Sequence, residues 1–462
     1  MFPDVLKPAK VIPIFKKGNK SEMTNYRPIS LLPAFSKILE KLFLIRLTSF
    51  INKCKIISVT QFGFTEGKCT IEAINEMLEF VIKALDNKYK TLSVFLDMSK
   101  AFDCVHHNTL ISILHHYGIR GKPLEWLKSF LYNRTQQVQV NNCISTPTDL
   151  QFGIPQGSVL GPLLFILYIN ELKSSLNNGN LIQFADDTTL SFNSQCNEDL
   201  VLQTCAGIKS CIDYFKLLNL QTNFNKSKFV HFNLNTVKSL QQPQIIIENN
   251  ILQETEHIKF LGLYVDSHLT WDPHVDHICN KISSSVFLLR QLSKFCTLDV
   301  LKQAYYGLIH SYITYGISIW GSCSKSRLMR IFVLQKYSIR IMAKLSYRES
   351  CRNAFRELGI LTLPALYIYE TILFCLGKCP LIKGSDIHNH YTRSNAVMRN
   401  NQHRLNIYNK LPSQAGVTLY NKLPDYIKNS ASWKLFKVNL INYLLSTVYY
   451  SVEEFMEAAH TT

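Results

Sequence analysis

Three aspartates pose the first chemical question. Asp186 and Asp187 stand side by side in LIQFADDTTLSF, residues 181–192, and Asp97 closes the run TLSVFLD. Leu181, Ile182, Phe184 and Ala185 precede the pair, and Leu190 and Phe192 follow it. Such apolar flanks read as strands in a core, where carboxylates are costly unless paired or bound to metal. TLSVFLD alternates as a strand, with Leu92, Val94 and Leu96 on one face and Ser93, Phe95 and Asp97 on the other. If the two strand units are neighbours in one sheet, three carboxylates meet at one edge and repel one another. Hard divalent cations bound through oxygen remove that repulsion. Two such ions about 4 Å apart clamp the attacking and leaving oxygens of a phosphoryl displacement. An isolated Asp-Asp is more simply a solvated turn. Asp97 on the matching strand end weighs against that reading.

The elements that must position these groups alternate along the first 270 or so residues. A short strand, VIPIF, leads through Lys16, Lys17 and Lys20 to a helix starting near Ala34, with Ile38, Leu42 and Ile45 at core spacing. TQFGFTEG is a Gly-punctuated loop before an amphipathic helix. After Asp97, Asn108 is placed to cap a helix carrying the stripe Leu110, Ile113, Leu114 and Tyr117, ended by Gly118. QFGIPQG is a Gly/Pro loop entering a helix apolar on all sides, which implies burial. The acidic hairpin follows, then a helix, the strand KSKFVHF and a second hairpin, IKFLGLYVDSHLTW. From about His274 helices dominate. An α+β core with a helical appendage is the expected fold class.

The chain has 462 residues and a formal net charge of +17. From Ser322 onward 19 Lys+Arg face 8 Asp+Glu, so the last third holds most of the excess. That balance points to a polyanionic partner held along its phosphates, with solvated helix faces as the bland alternative. The 13 cysteines lack a disulfide-scaffold rhythm. Cys375 and Cys379, with His388 and His390 nearby, lack a clean zinc pattern. The pairs His106–His107 and His115–His116 read as helix residues without metal. The N-terminus has no signal-peptide core, and no apolar run nears the roughly 20 residues of a membrane helix. A nuclear or cytoplasmic location follows as an expectation.

From about Lys10 to Trp271, with weaker likeness to the end, five blocks in order are similar to the reverse transcriptases of non-LTR (LINE-like, jockey-type) retrotransposons: NYRPISLL, VFLDMSKAFDCVHHNTL, GIPQGSVLGPLLFILYINEL, FADDTTL and the segment from NFNKSKF to FLG. The resemblance implies a right-hand polymerase fold. Fingers would span 1–90; a palm would span 91–273, with part of the fingers between its first two motifs. A thumb at 274–345 and a basic helical extension at 346–462 would follow, the reverse transcriptase domain covering about 5–270. It implies that Asp97, Asp186 and Asp187 bind two Mg²⁺ ions (or Mn²⁺), with Asp187 nearer the primer end. By the same resemblance Lys226 protonates the leaving pyrophosphate. Arg27, with Lys16 or Lys17, contacts the triphosphate, and Phe102 excludes a 2′-hydroxyl. Gln156 and Gly157 lie near nucleotide and template, and Phe260, Leu261 and Gly262 grip the primer. A structural role is the expectation for Asp103. The implied partners are an RNA template, a DNA primer and dNTPs, with no membrane and no implied oligomeric state. The chain begins almost at the fingers motif and reads as a fragment without an endonuclease segment. The alternative is an inactive or repurposed nucleic-acid-binding remnant of the same fold.

Overall fold

The structure is a computed structural model, and it describes residues 1–176, 178–234, 243–380 and 398–458. His388 and His390 therefore lie outside the described residues. Two compact units emerge. The first comprises 1–73, 90–229 and 239–254; the second comprises 74–89, 230–238 and 255–462.

In the first unit a five-stranded sheet has the order Gln253–Glu254, Lys228–Phe232, Lys90–Leu96, Asp187–Ser194, Asn180–Phe184. The central Lys90–Leu96 strand is buried on both faces from Thr91 to Leu96, as its run of β-branched, aromatic and small residues allows. It pairs antiparallel with Asp187–Ser194, Leu96 opposite Thr188. Asp187–Ser194 in turn pairs with Asn180–Phe184, Phe184 opposite Asp187. Ala185 and Asp186 are thus the two residues of a tight hairpin turn. Ala185 takes a left-handed φ of 55°, which the primed hairpin turns require at their first position.

A second sheet joins Ala9–Phe15 antiparallel to Tyr26–Leu31 and parallel to Arg134–Val140. The Gly161–Tyr168 helix is buried from Leu163 to Tyr168, as expected from its uninterrupted apolar run. The α+β fold class agrees with the sequence reading.

Two local expectations need correction. The Ala34–Cys54 helix forms, but Ile38, Leu42 and Ile45 are 54%, 58% and 60% exposed. Its buried positions are Ser36, Glu40, Leu47 and Ile51. Periodicity identified a helix without identifying which stripe faces the core. The inward face is set by the fully buried Glu40, whose carboxylate accepts from the N–H groups of Val159 (2.7 Å) and Leu160 (3.2 Å), and from Ser36 Oγ (3.0 Å). The second correction concerns the His107–His116 helix. His106 caps it, accepting from Thr109 N–H, while Asn108 accepts from the Tyr132 hydroxyl. The cap sits two residues earlier because an imidazole nitrogen offers the acceptor that Asn108 was expected to supply.

In the second unit the hairpin His257–Phe260 and Leu263–Asp266 is followed by helices beginning with Asp272–Leu292. Arg327 pairs with Asp272 through both nitrogens of its fork. Among the described residues no single helix is long and apolar enough to cross a membrane. Arg352–Leu358 and Leu363–Lys378 together reach that length across a 51° bend, but nine residues of the latter are buried within the protein.

Glu40 ties the first long helix to the entrance of the helix behind the IPQG loop. Replacing it with Ala leaves one half-buried and one buried amide without this acceptor, and hydrogen bonds to a charged group are each worth about 1.5–3 kcal/mol. Glu40→Ala is expected to lower unfolding free energy by about 3 kcal/mol in urea titration. A loss under about 0.5 kcal/mol would contradict this role.

Candidate active site

Continuing the register of Leu96 opposite Thr188 by one residue sets Asp97 opposite Asp187. Asp186 occupies the turn immediately before Asp187. The sheet therefore brings all three predicted acids to one strand end.

The backbone of Asp97 is pinned on both sides. Its carbonyl accepts from Asn223 N–H at 2.8 Å, and its N–H donates to Ser227 Oγ at 3.1 Å. Ser227 is buried and returns its own hydroxyl to Asn223 O. The turn built by NFNKSKF thus clasps the first acid. The same turn delivers Lys226, whose Nζ lies 3.7 Å from Asp97 Oδ2. Both groups are substantially exposed, so the pair contributes little to stability and leaves the ammonium free to exchange partners.

The acids feel one another. Burial lifts the Asp186 carboxyl above its ordinary range, and the Asp97 charge adds to the rise. Backbone hydrogen bonding, Arg27 and Lys16 oppose it. Burial pushes Asp187 up to about 6, with Asp186 and then Asp97 adding and Lys16 opposing. Both residues keep a solvent-facing edge, so these carboxyls are walled in on the protein side rather than sealed. Protons are held where a counter-charge is short. Arg27 and Lys16, adjacent through the pairing of Ala9–Phe15 with Tyr26–Leu31, supply part of it. Lys17 is exposed and shows no comparable influence on the acids.

Among the described residues no three His, Cys, Asp or Glu side chains form a ready-made metal cage. Mg²⁺ is commonly held by one or two carboxylates together with substrate phosphates and waters. Hard oxygen donors with raised proton affinity, open on one side, fit an ion that arrives with a phosphate.

The IPQG loop lies against three segments. Gln156 Nε2 donates to Asp103 Oδ1 at 2.9 Å, and Gln156 O accepts from Ser30 N–H at 2.8 Å. A Cβ on Gly157, at φ 135°, would meet Ser30 O at 2.4 Å, so only glycine permits this approach. Ile154 N–H donates to Phe102 O at 2.9 Å, and the Phe102 ring stacks on Phe165 at 4.4 Å between centroids. Phe102 is half-buried, its ring held by a core aromatic. Beside it, the loop 151–156 borders a cavity of about 530 Å³ with Lys100 and Asp103.

The three residues expected to grip a primer fall in the second unit. Phe260 is buried, and Leu261 and Gly262 form a hairpin tip with φ of 43° and 94°. The Tyr315 hydroxyl donates to Leu261 O. A Cβ on Gly262 would meet the Tyr315 ring at 2.8 Å.

Sequence reasoning missed Glu40, Ser227, the hydrogen bond from Gln156 to Asp103, and Gln61. The Gln61 side chain accepts from Ala185 N–H in the acidic turn. In the sequence it is only a polar residue in a Gly-punctuated loop.

A sequence profile described as reverse transcriptase (RNA-dependent DNA polymerase) matches residues 14–265. The probable RNA-directed DNA polymerase from transposon BS of Drosophila melanogaster is 32% identical over 378 residues, covering 78% of this chain and 41% of that protein. The probable RNA-directed DNA polymerase from transposon X-element of the same organism is 32% identical over 360 residues, covering 76% and 39%. The RNA-directed DNA polymerase from its mobile element jockey is 28% identical over 380 residues, covering 78% and 40%. The chain spans about two fifths of the length of these relatives. Among solved structures, telomerase from Candida tropicalis in complex with a TWJ fragment of telomeric RNA covers 96% of this chain and 64% of its own, at 13% identity. Its TM-score is 0.45. With the profile spanning more than half of its residues, the chain belongs to the reverse transcriptase (RNA-dependent DNA polymerase) family, among the relatives of the jockey-type non-LTR retrotransposons.

Proposed function

We propose that this chain extends a DNA primer on an RNA template by adding deoxynucleotides to the primer 3′-hydroxyl. The observation that carries this reading is the register that sets Asp97 opposite Asp187 with Asp186 in the adjoining turn. Fingers at 1–90, palm at 91–273, thumb at 274–345 and a basic extension at 346–462 are the corresponding division.

The family uses divalent metal ions. Two Mg²⁺ ions held by Asp97, Asp186 and Asp187 would supply activation of the 3′-hydroxyl and neutralise the triphosphate. The protein's own groups do the rest. Arg27 and Lys16 face the acids from the neighbouring sheet and suit the triphosphate, where a planar guanidinium can bind bidentately. Lys226, exposed beside Asp97, suits proton donation to the leaving pyrophosphate oxygen. Asp103 orients the Gln156 amide, and Gly157 lets the loop backbone approach the nucleotide. Phe102, stacked on Phe165, presents a wall that cannot yield to a 2′-hydroxyl. The Leu261–Gly262 tip suits a primer end, and the basic helical residues suit contact along a phosphate backbone.

Three outcomes follow. In Mg²⁺-dependent extension of a DNA primer on RNA, Asp186→Ala is expected to lower the rate by at least about 10³-fold. Equal extension by that variant would overturn the metal assignment, and absent extension by the wild type with salt-sensitive binding would favour an inactive binding remnant. Phe102→Ala is expected to raise ribonucleotide use relative to deoxynucleotide by about 10-fold or more; an unchanged ratio removes the gate. The third outcome concerns pH. Asp187 is raised to about 6 in the folded chain, above an unfolded value of about 4. The stability linked to its proton is full below about pH 4 and lost as pH rises through about 6. A bound cation must displace that proton, so the Mg²⁺ concentration for half-maximal activity should rise as pH falls below about 6. A half-saturation value flat from pH 5.5 to 7.5 would contradict this.

A further inference from the structure

Asp97 is clasped by the Asn223–Ser227 turn, and the opposing acids sit at a tight turn closed by the Phe184–Asp187 pair, with Ala185 in the left-handed region. A non-glycine residue at φ 55°, as at Ala185, costs on the order of 1 kcal/mol or more and persists only where its surroundings hold it. We infer that Gln61 and Gly63 are the positioning residues of the acidic turn, a strut holding Ala185 and hence Asp186 and Asp187 in register with Asp97. The inference rests on the polymerase reading only for its kinetic consequence.

The strut is built from one buried side chain and one missing one. Gln61 is fully buried. Its Oε1 accepts from Gly63 N–H at 2.9 Å and Ala185 N–H at 3.2 Å, so one oxygen joins loop to turn. The backbone adds a short parallel bridge: Gln183 N–H donates to Thr60 O at 2.9 Å, and Phe62 N–H donates to Gln183 O at 2.8 Å. This covers the otherwise open edge of Asn180–Phe184. A Cβ on Gly63 would lie 2.4 Å from Ala185 N, nearer than any side chain tolerates. The glycine is required by contact with the acidic turn, not by its own φ.

The loop is itself anchored. Asn170, beyond the buried Gly161–Tyr168 helix, accepts from Ser58 N–H and donates to Ile56 O, both at 2.8 Å. Lys68 Nζ donates to Gln61 O at 2.8 Å and also to Val59 O. Support therefore passes from a buried helix end, through the loop, to the turn bearing Asp186. Neither Gln61 nor Gly63 is placed to touch substrate, so both act through the turn.

The test uses the full chain. Amide exchange is followed by mass spectrometry in peptides covering residues 184–189 and 90–96, beside steady-state dTTP incorporation on poly(rA)/oligo(dT) with Mg²⁺. Gln61→Leu is expected to speed exchange in 184–189 about 10-fold or more, with 90–96 unchanged. It is also expected to lower kcat about 10–100-fold at a near-constant KM for dTTP, the scale of a misplacement of order 1 Å. Gly63→Ala, which leaves Gln61 in place, should reproduce the kcat loss and serves if Gln61→Leu does not fold. Wild-type exchange and kcat in Gln61→Leu and Gly63→Ala would overturn the inference. Equal acceleration of both peptides would also overturn it, since Gln61 would then be a general stabiliser. Failure of the wild type to extend primers would defeat the polymerase reading alone and leave the exchange result to decide the strut.

Discussion

Like charges held at one strand end are the constraint around which the first unit is organised. Asp97 and Asp187 fall opposite each other, with Asp186 beside them. Burial raises the proton affinity of Asp186 and Asp187, and the charges of their acidic neighbours add to the rise. A flexible strand end would relieve the repulsion by moving apart. Such relief would undo the proposed divalent-ion site, and the surroundings oppose it.

The prevention is made of backbone hydrogen bonds rather than ion pairs. The Asn223–Ser227 turn grips both backbone groups of Asp97, and the Ile56–Gly63 loop grips the amide of Ala185. Glu40 performs the same service for the loop that presents Gln156 and Gly157, capping amides at 159 and 160. These bonds keep their geometry when the site's charge changes, whereas the exposed Lys226–Asp97 pair is weak and exchangeable. A rigid frame with exchangeable charges suits the proposed nucleotidyl transfer, in which the net charge would swing as nucleotide enters and pyrophosphate leaves.

Legibility in the sequence followed the range of the signal. The three acids could be placed because strand alternation ending in Asp97 and an acidic turn between apolar runs are local patterns. The apolar helix behind IPQG and the change to helices near His274 were legible for the same reason. The inward face of Ala34–Cys54 was not, since Ile38, Leu42 and Ile45 repeat as regularly as a core stripe while Glu40 points inward to amides 119 and 120 residues away. Gln61 was hidden more deeply. Its partner at Ala185 lies 124 residues along the chain, and no spacing rule joins a loop glutamine to a distant hairpin. Gly63 looked like loop punctuation, and its reason lies in the backbone it touches. The strut therefore emerges only once the sheet has been assembled.

The central claim is that these three carboxylates form one divalent-ion site. Counting Mn²⁺ bound to the chain by electron paramagnetic resonance, with template–primer and a non-hydrolysable dNTP present, tests it without any turnover. A shared site predicts about two protein-dependent ions per chain, lost together in Asp97→Asn and in Asp186→Asn although the mutated residues lie on different strands. Mn²⁺ binding unchanged in both variants would contradict it.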